Sequence, residues 1–298
     1  MKKILISTVC NDDFILGGLT LLQSLKNNVS ILEACDVKIY YDDELCKLSP
    51  ENKDKFARVF PRIKFQKVNL PVDLKHCTAD SENRRSAFVK LECFNETNYD
   101  RVVFLDSDII VIRDISDIIK DLRIKYGQVD GNTGVLFLGK ECLQDPICCM
   151  NNNAAKKQRI YDHVLDQVRR GYASINPDMM EQPLINTVIE STVPNICTRL
   201  PEDYNLRNFR NLNAKVHSAK IIHWAHYWKY KPFVTSEKMA HELNLPHGYR
   251  MVDGNRTAYP SWEEEIQKYK DSVSHLAEEE TPNFIFSKYL AEVNQILL

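Results

Sequence analysis

The chain has no apolar run long enough to cross a bilayer, no cysteine pair at metal-binding spacing and no excess of either charge, and each absence closes a class of function. Its start, Met1-Lys2-Lys3-Ile4-Leu5-Ile6-Ser7, carries a basic flank. The apolar stretch gives way at Asn11-Asp12-Asp13, too soon for a signal h-region or a spanning helix of about 20 residues. A cytosolic protein without a membrane span is expected. The nine cysteines are odd in number, contain no Cys-x-x-Cys and are scattered apart from Cys148 and Cys149, which favours reduced core thiols over a disulfide framework or a zinc site. Lys and Arg (39) nearly balance Asp and Glu (41), and no basic stripe runs among aromatics. That argues against a nucleic-acid partner and for a small polar or anionic one.

Several motifs are missing as well. There is no Gly-x-Ser-x-Gly, and His241-Glu242 lacks a second His four residues after the first. Gly134-Val-Leu-Phe-Leu-Gly139-Lys140 has nearly the P-loop spacing, but Glu141 stands where a Ser or Thr must hold Mg²⁺, and the residues between are strand-like. Asn28-Val29-Ser30, Asn95-Glu96-Thr97 and Asn255-Arg256-Thr257 fit the glycosylation sequon but carry little weight in an Asn-rich chain. No Pro/Gly/Ser-rich linker, repeat or low-complexity tract divides the sequence.

What is present reads as alternating strands and helices. Lys3 to Thr8 is a short β-branched run, and Asp13 to Lys26 carries Phe14, Ile15, Leu19, Leu22 and Leu25 at helical spacing. Strand signals recur at Val37 to Tyr41 and Ile63 to Val68 with a polar helix between, and a helix from Ser86 to Asn95 leads into the strand at Val102. Further on come a strand from Asn132 to Leu138, helices around Gln158 to Arg170 and Gln182 to Glu190, a strand at Ile221 to Trp224, and helices at Trp262 to His275 and Phe284 to Leu297. Asn151 to Gln158 is polar enough for exposed helix or loop. The alternation predicts an α/β fold with a mainly parallel, mixed central sheet. At 298 residues it predicts a single domain, with residues 1–240 as the main unit and 241–298 as a helical extension packed on it.

The segment richest in chemistry is Arg101-Val-Val-Phe-Leu-Asp106-Ser107-Asp108, which sets two carboxylates two residues apart where a fully apolar strand ends. Side chains at i and i+2 of extended backbone share a face, and ligands of open α/β sheets gather beyond the carboxyl ends of the strands. Two hard oxygens make an incomplete cage. The fitting ion is therefore Mg²⁺ or Mn²⁺ shared with substrate phosphates, although the same residues could form a solvated turn. His223, at the end of the Ile221 strand, is a candidate third ligand, and an imidazole tilts such a site toward Mn²⁺.

These residues converge on a family: the chain resembles the retaining family 8 glycosyltransferases, the group of glycogenin and galactinol synthase. Ile6-Ser7-Thr8-Val9-Cys10-Asn11-Asp12-Asp13-Phe14, with Gly17-Gly18 and Leu22-x-Ser24-Leu25, is similar to the family's first strand and helix, with Phe14 in place of a Tyr. Val89-Lys90-Leu91 precedes the Asp-x-Asp strand as a basic residue does in the family. Asn132-Thr133-Gly134-Val135 resembles Asn-Ala/Ser-Gly-Val, and Glu181-Gln182-Pro183-Leu184-Ile185-Asn186 resembles Asp-Gln-x-x-x-Asn with its acid one methylene longer. Leu200-Pro201-Glu202-Asp203-Tyr204-Asn205 and the stretch from His223 to Pro232 resemble the family's closing motifs. The last departs from pattern: His226 replaces a Gly and two extra residues precede Lys231-Pro232, so Lys229 keeps the distance from His223 while Lys231 keeps the Pro.

The resemblance implies a GT-A, Rossmann-like fold and transfer of a hexose from a UDP-sugar, UDP-glucose favoured, with retention of configuration. It implies a metal held by Asp106, Asp108 and His223, with Mn²⁺ ahead of Mg²⁺. It implies a donor site of Thr8, Asn11, Asp12, Phe14, Lys90, Asp106, Ser107, Asn132, Gly134 and one of Lys229 and Lys231, with Glu181 and Gln182 carrying catalysis. The acceptor is expected to be a separate carbohydrate, polyol or protein, and a homodimer is compatible with the reading. The rival reading is a catalytically silent sugar-nucleotide-binding or scaffold protein of the same fold.

Overall fold

A computed structural model describes residues 2–69 except 45, 87–207 except 131, 145–146, 152–153, 170–180 and 193, then 217–224, 249–252, 255–258, and 264, 267, 270, 271 and 273–298. Its centre is a seven-stranded mixed sheet in the order β10-β6-β7-β4-β1-β2-β3. The strands are β1 (Ile4–Val9), β2 (Asp36–Tyr41), β3 (Lys64–Lys67), β4 (Arg101–Leu105), β6 (Tyr126–Val129), β7 (Asn132–Gly139) and β10 (Cys197–Arg199). β3, β2, β1 and β4 run parallel in that order, β7 lies antiparallel between β4 and β6, and β10 is parallel to β6. Three two-stranded ribbons complete the strands: β5 (Ile109–Val111) with β11 (Ile221–His223), β8 (Ile147–Asn151) with β9 (Ala154–Gln158), and β12 (Tyr249–Val252) with β13 (Asn255–Ala258).

Alternation along the strands builds two cores. Val103 and Leu105 of β4 and Ile6 of β1 face one cluster, and Val102, Phe104 and Leu5 face the other. The first cluster is closed by α1 (Ile15–Asn28), α2 (Pro50–Val59) and the C-terminal helix, α7 (Pro282–Leu297), through Leu19, Leu22, Phe56 and Val293. The second is closed by a 3₁₀ helix (Ala87–Asn95), α5 (Ile160–Arg169) and α6 (Glu181–Thr192), through Phe88, Ile160, Val164 and Leu184. Two short helices, α3 (Ser116–Lys120) and α4 (Lys140–Leu143), connect strands. The result is a helix–sheet–helix sandwich in which β4 is buried along its whole length.

Local chemistry explains the ends of the helices. Ser49 caps α2 and Thr281 caps α7, each accepting from a backbone N–H at 3.3 Å, and each is followed by a Pro in the first helical turn, where a missing N–H costs nothing. Gly18 lets α1 lie close to its neighbours, since a Cβ there would stand 2.8 Å from both Cys10 Sγ and Phe56 Cζ. Two expectations change. Asn151 and Ala154–Gln158 belong to the paired strands β8 and β9, because a strand owes its identity to cross-strand pairing as much as to its own pattern. The segment before β4 is a 3₁₀ helix rather than a regular α-helix, and its almost unbroken burial leaves no amphipathic period to read. Among the described residues no helix is long and apolar enough to cross a membrane.

Candidate active site

Register brings the site residues to one edge of the sheet. β1 and β4 are parallel with Ser7 opposite Phe104, so the segment after Thr8 runs beside the segment after Leu105. β7 is antiparallel to β4 with Val135 opposite Leu105, and Asp106 N–H donates to the Gly134 carbonyl at 2.8 Å. Asp106 follows the last residue of β4, Ser107 and Asp108 turn the chain, and β5 then pairs with β11 so that His223 lies opposite Ile109. Asp106, Asp108 and His223 thus converge with one ligand atom each, all within 4.8 Å of one another. His223 Nε2 stands 3.3 Å from Asp108 Oδ1 and 3.8 Å from Asp106 Oδ2.

A relay of amides places a proton on one nitrogen of that imidazole. The Gly134 N–H can only donate, so the Asn132 atom 2.9 Å away is its Oδ1, and the same oxygen accepts from Asn205 Nδ2 at 2.9 Å. Asn205 therefore turns its own Oδ1 to His223 Nδ1, 2.8 Å away, and the ring must carry its proton there. In the neutral ring Nε2 then presents a lone pair to two carboxylates, an arrangement that calls for a cation between them. Gly134 keeps the space: a Cβ would lie 2.3 Å from His223 Cε1 and 2.6 Å from Asp106 Oδ2. Two carboxylates and an oriented imidazole make a mixed O/N donor set that suits a divalent ion.

Beside this cluster Lys90, on the 3₁₀ helix, is buried with Nζ 2.6 Å from Glu181 Oε1 and 3.1 Å from Asp106 Oδ1. Burial alone would lower its pKa, but the two carboxylates outweigh it and hold the ammonium protonated well above the ordinary lysine value. Glu181 opens α6 and is 2% exposed; Oε1 also accepts from Thr133 Oγ1 at 3.0 Å, while Oε2 has no hydrogen-bond partner among the described residues. Gln182 Oε1 accepts from Asn132 Nδ2 and from the Thr133 N–H, both at 3.2 Å. Lys90, Asp106, Asp108, Asn132, Gly134, Glu181, Gln182 and His223 therefore form one connected network.

The opening segment is shaped by local contacts. Asn11 Oδ1 accepts from the Phe14 N–H at 3.1 Å and caps a 3₁₀ turn (Asp12–Phe14). Asp12 Oδ1 accepts from Ser49 N, Ser49 Oγ and Asn52 Nδ2 at 2.9, 3.0 and 2.8 Å, tying this turn to the start of α2. Its burial raises the carboxyl pKa, and these donors more than reverse the effect, leaving it below the ordinary value. Phe14 is half-buried against the first core, and Thr8 is buried. Lys229 and Lys231 lie outside the described residues. Sequence reasoning gave Asn205 and Thr133 no role of their own, although both stand inside motifs it quoted.

No protein-family profile matches the chain. A 116-residue stretch is 25% identical to Glucose N-acetyltransferase 1 of Gibberella zeae, covering 38% of this chain and 25% of that protein. Among solved structures, the glycosyltransferase GlyE of Streptococcus pneumoniae TIGR4 aligns with a TM-score of 0.55 and 14% identity over 92% of this chain and 64% of GlyE. The galactosyltransferase LgtC, solved in complex with donor and acceptor sugar analogues, aligns with a TM-score of 0.54 and 13% identity over 88% of this chain and 99% of LgtC. The bifunctional glycosyltransferase WbbM gives 0.53 and 14% over 99% of this chain, which spans 52% of WbbM. At these identities the likeness is one of architecture, and the architecture is the GT-A glycosyltransferase fold.

Proposed function

We propose that the chain is a retaining, metal-dependent family 8 glycosyltransferase that moves a hexose from a UDP-sugar to the hydroxyl of a separate carbohydrate, polyol or protein. The carrying observation is the convergence of His223 Nε2 with the carboxylates of Asp106 and Asp108, ligand atoms within 4.8 Å of one another, at the carboxyl edge of a GT-A sheet. LgtC, which shares the fold and was solved with donor and acceptor sugar analogues, supports the substrate class. UDP-glucose is favoured over UDP-galactose or an N-acetylhexosamine donor. A divalent ion held by Asp106, Asp108 and His223, Mn²⁺ ahead of Mg²⁺, would supply positive charge to the departing diphosphate.

The chain's own residues do the rest. Asn11, Asp12 and Phe14 receive the uridine, with the Phe14 ring against the base, and Thr8 and Ser107 line the same edge. Lys90 pairs with both Glu181 and Asp106 and so holds the two carboxylates on either side of its ammonium. Glu181 and Gln182 stabilise positive charge at the anomeric carbon as it develops, and Asn132 and Gly134 shape the sugar pocket. Lys229 or Lys231 meets the phosphates. Residues 1–240 form the catalytic unit and 241–298 the extension, working in the cytosol.

The test is incubation of purified protein with a panel of UDP-sugars and Mn²⁺, reading released UDP and product mass. Release from one hexose donor, lost on adding EDTA, is the expected result. UDP binding without turnover of any donor would favour the silent nucleotide-binding protein, a reading consistent with Glu181 being held by Lys90. Absence of both binding and turnover would overturn the proposal.

A further inference from the structure

Residue Trp224 follows the candidate ligand His223 directly and touches the other side of the same cluster, because its N–H donates to the Asp108 carbonyl at 3.1 Å. Its side chain is 1% exposed and does not face the site. It packs edge-on against Phe286 of α7, with ring centroids 5.7 Å apart at 78°, and its indole N–H donates to Asn283 Oδ1 at 3.3 Å. The far end of α7 is anchored independently. Glu292 accepts from Gln23 Nε2 and Asn27 Nδ2 of α1 at 2.9 and 2.7 Å, Asn28 Nδ2 donates to Tyr289 Oη at 2.7 Å, and Arg58 of α2 donates to the Ile296 carbonyl at 2.8 Å.

The ribbon that carries the ligands is gripped from the same helix pair. Asn28 Nδ2 also donates to the Val111 carbonyl of β5 at 2.9 Å, and the Val111 N–H donates to Ser24 Oγ of α1 at 3.0 Å. The β5–β11 ribbon has only three residue pairs, from Ile221–Val111 to His223–Ile109. So short a ribbon is marginal by itself and takes its rigidity from what packs on it. Asp108 leads into it and His223 ends it.

We infer that the C-terminal helix α7 is a positioning brace for the metal site: Phe286 and Asn283 hold Trp224, and through Trp224 the spacing of Asp108 and His223. The inference rests on the metal reading of those residues and adds that metal affinity is set partly by a helix that offers no ligand. Neighbours that orient metal ligands typically change affinity by about 10–100-fold when removed. Val293, buried on the same helix within the first core, serves as the comparison because it supports α7 at the end remote from Trp224.

The experiment titrates Mn²⁺ into the full chain by calorimetry and follows amide hydrogen exchange of segments 109–111 and 221–224 without metal. Phe286→Ala should raise the Mn²⁺ Kd by at least about tenfold, and Phe286→Leu, which keeps most of the volume, should recover most of that loss. Val293→Ala should lower Tm yet leave the Kd at the wild-type value. Exchange in the two ribbon segments should accelerate in Phe286→Ala and stay slow in Val293→Ala. If Phe286→Ala does not fold, Asn283→Ala and Phe286→Leu carry the comparison, with smaller rises in Kd expected. Wild-type affinity in the Trp224-contact variants, or an equal loss in Val293→Ala, overturns the brace. If wild-type protein binds no Mn²⁺ at all, the metal reading falls by itself, and the exchange rates still decide whether α7 holds the ribbon.

Discussion

Two buried lysines sit on the same side of the sheet and end in opposite situations. Lys38 of β2 meets the Glu96 carboxylate and donates to Gln66 Oε1 at 2.7 Å, with the Tyr40 and Tyr99 rings 5.7 Å from its Nζ. Glu96 Oε1 also accepts from Tyr40 Oη at 2.9 Å. One charge meets one charge, and amide and aromatic groups close the circle. Lys90 instead faces two carboxylates, Asp106 and Glu181, and Glu181 Oε2 is left buried with no hydrogen-bond partner among the described residues. A buried oxygen without a donor costs about 1–3 kcal/mol. The difference teaches that the first network is closed by its own groups, whereas the second, among the described residues, is one proton donor or cation short.

The largest expected effect breaks the closed network. Glu96→Ala leaves the Lys38 ammonium buried without its counter-charge, and the unfolding free energy should fall by about 3–5 kcal/mol in urea titration. Turnover per folded molecule should stay at the wild-type level; a loss of kcat at unchanged folding would erase the contrast. Asp106→Asn and Asp108→Asn strike the open network. UDP-sugar turnover should drop at least about a hundredfold while Tm stays near wild type, because the buried Lys90 retains Glu181 as its counter-charge. Full activity of either variant, or of the wild type in EDTA, would remove the metal from the account.

Smaller effects sharpen the picture. Phe14→Ala should weaken UDP binding by about one to two powers of ten, the worth of roughly 1–3 kcal/mol for a base stacked on an aromatic ring. Unchanged affinity in calorimetry would place the base elsewhere. Glu181→Gln should lower kcat by about tenfold with UDP affinity preserved, since its proposed partner is charge present only in the transition state. The reverse pattern, a collapse of UDP affinity with kcat retained at saturation, would move Glu181 into the binding shell.

The sheet was legible because its central strands carry continuous apolar runs, Val102–Leu105 and Val135–Leu138, within spans that are buried at every position. Asp106, Asp108 and His223 were legible because strand ends are where α/β sheets place ligands. The pairing of β8 with β9 was not, since each strand needed the other to be recognised. Nor was the role of Asn205, which depends on Asn132 73 residues away and His223 18 residues away, a relation that no local pattern carries. The brace on Trp224 was hidden for the same reason, because Asn283 is 59 residues distant and its amide resembles any other on an exposed helix.

The docking of α7 against α1 sets an order of events during synthesis. Asn28 and Tyr289 are separated by 261 positions, so at about 5–20 residues per second the ribosome needs roughly 13–50 s to deliver one after the other. Throughout that interval α1 lacks a helix that closes its core. Trp224, too, emerges before Asn283 and Phe286. A nascent chain stalled between residues 224 and 282 would then carry Asp106, Asp108 and His223 and still lack the helix that packs on Trp224, so the spacing of these three side chains is fixed late in translation rather than growing with chain length.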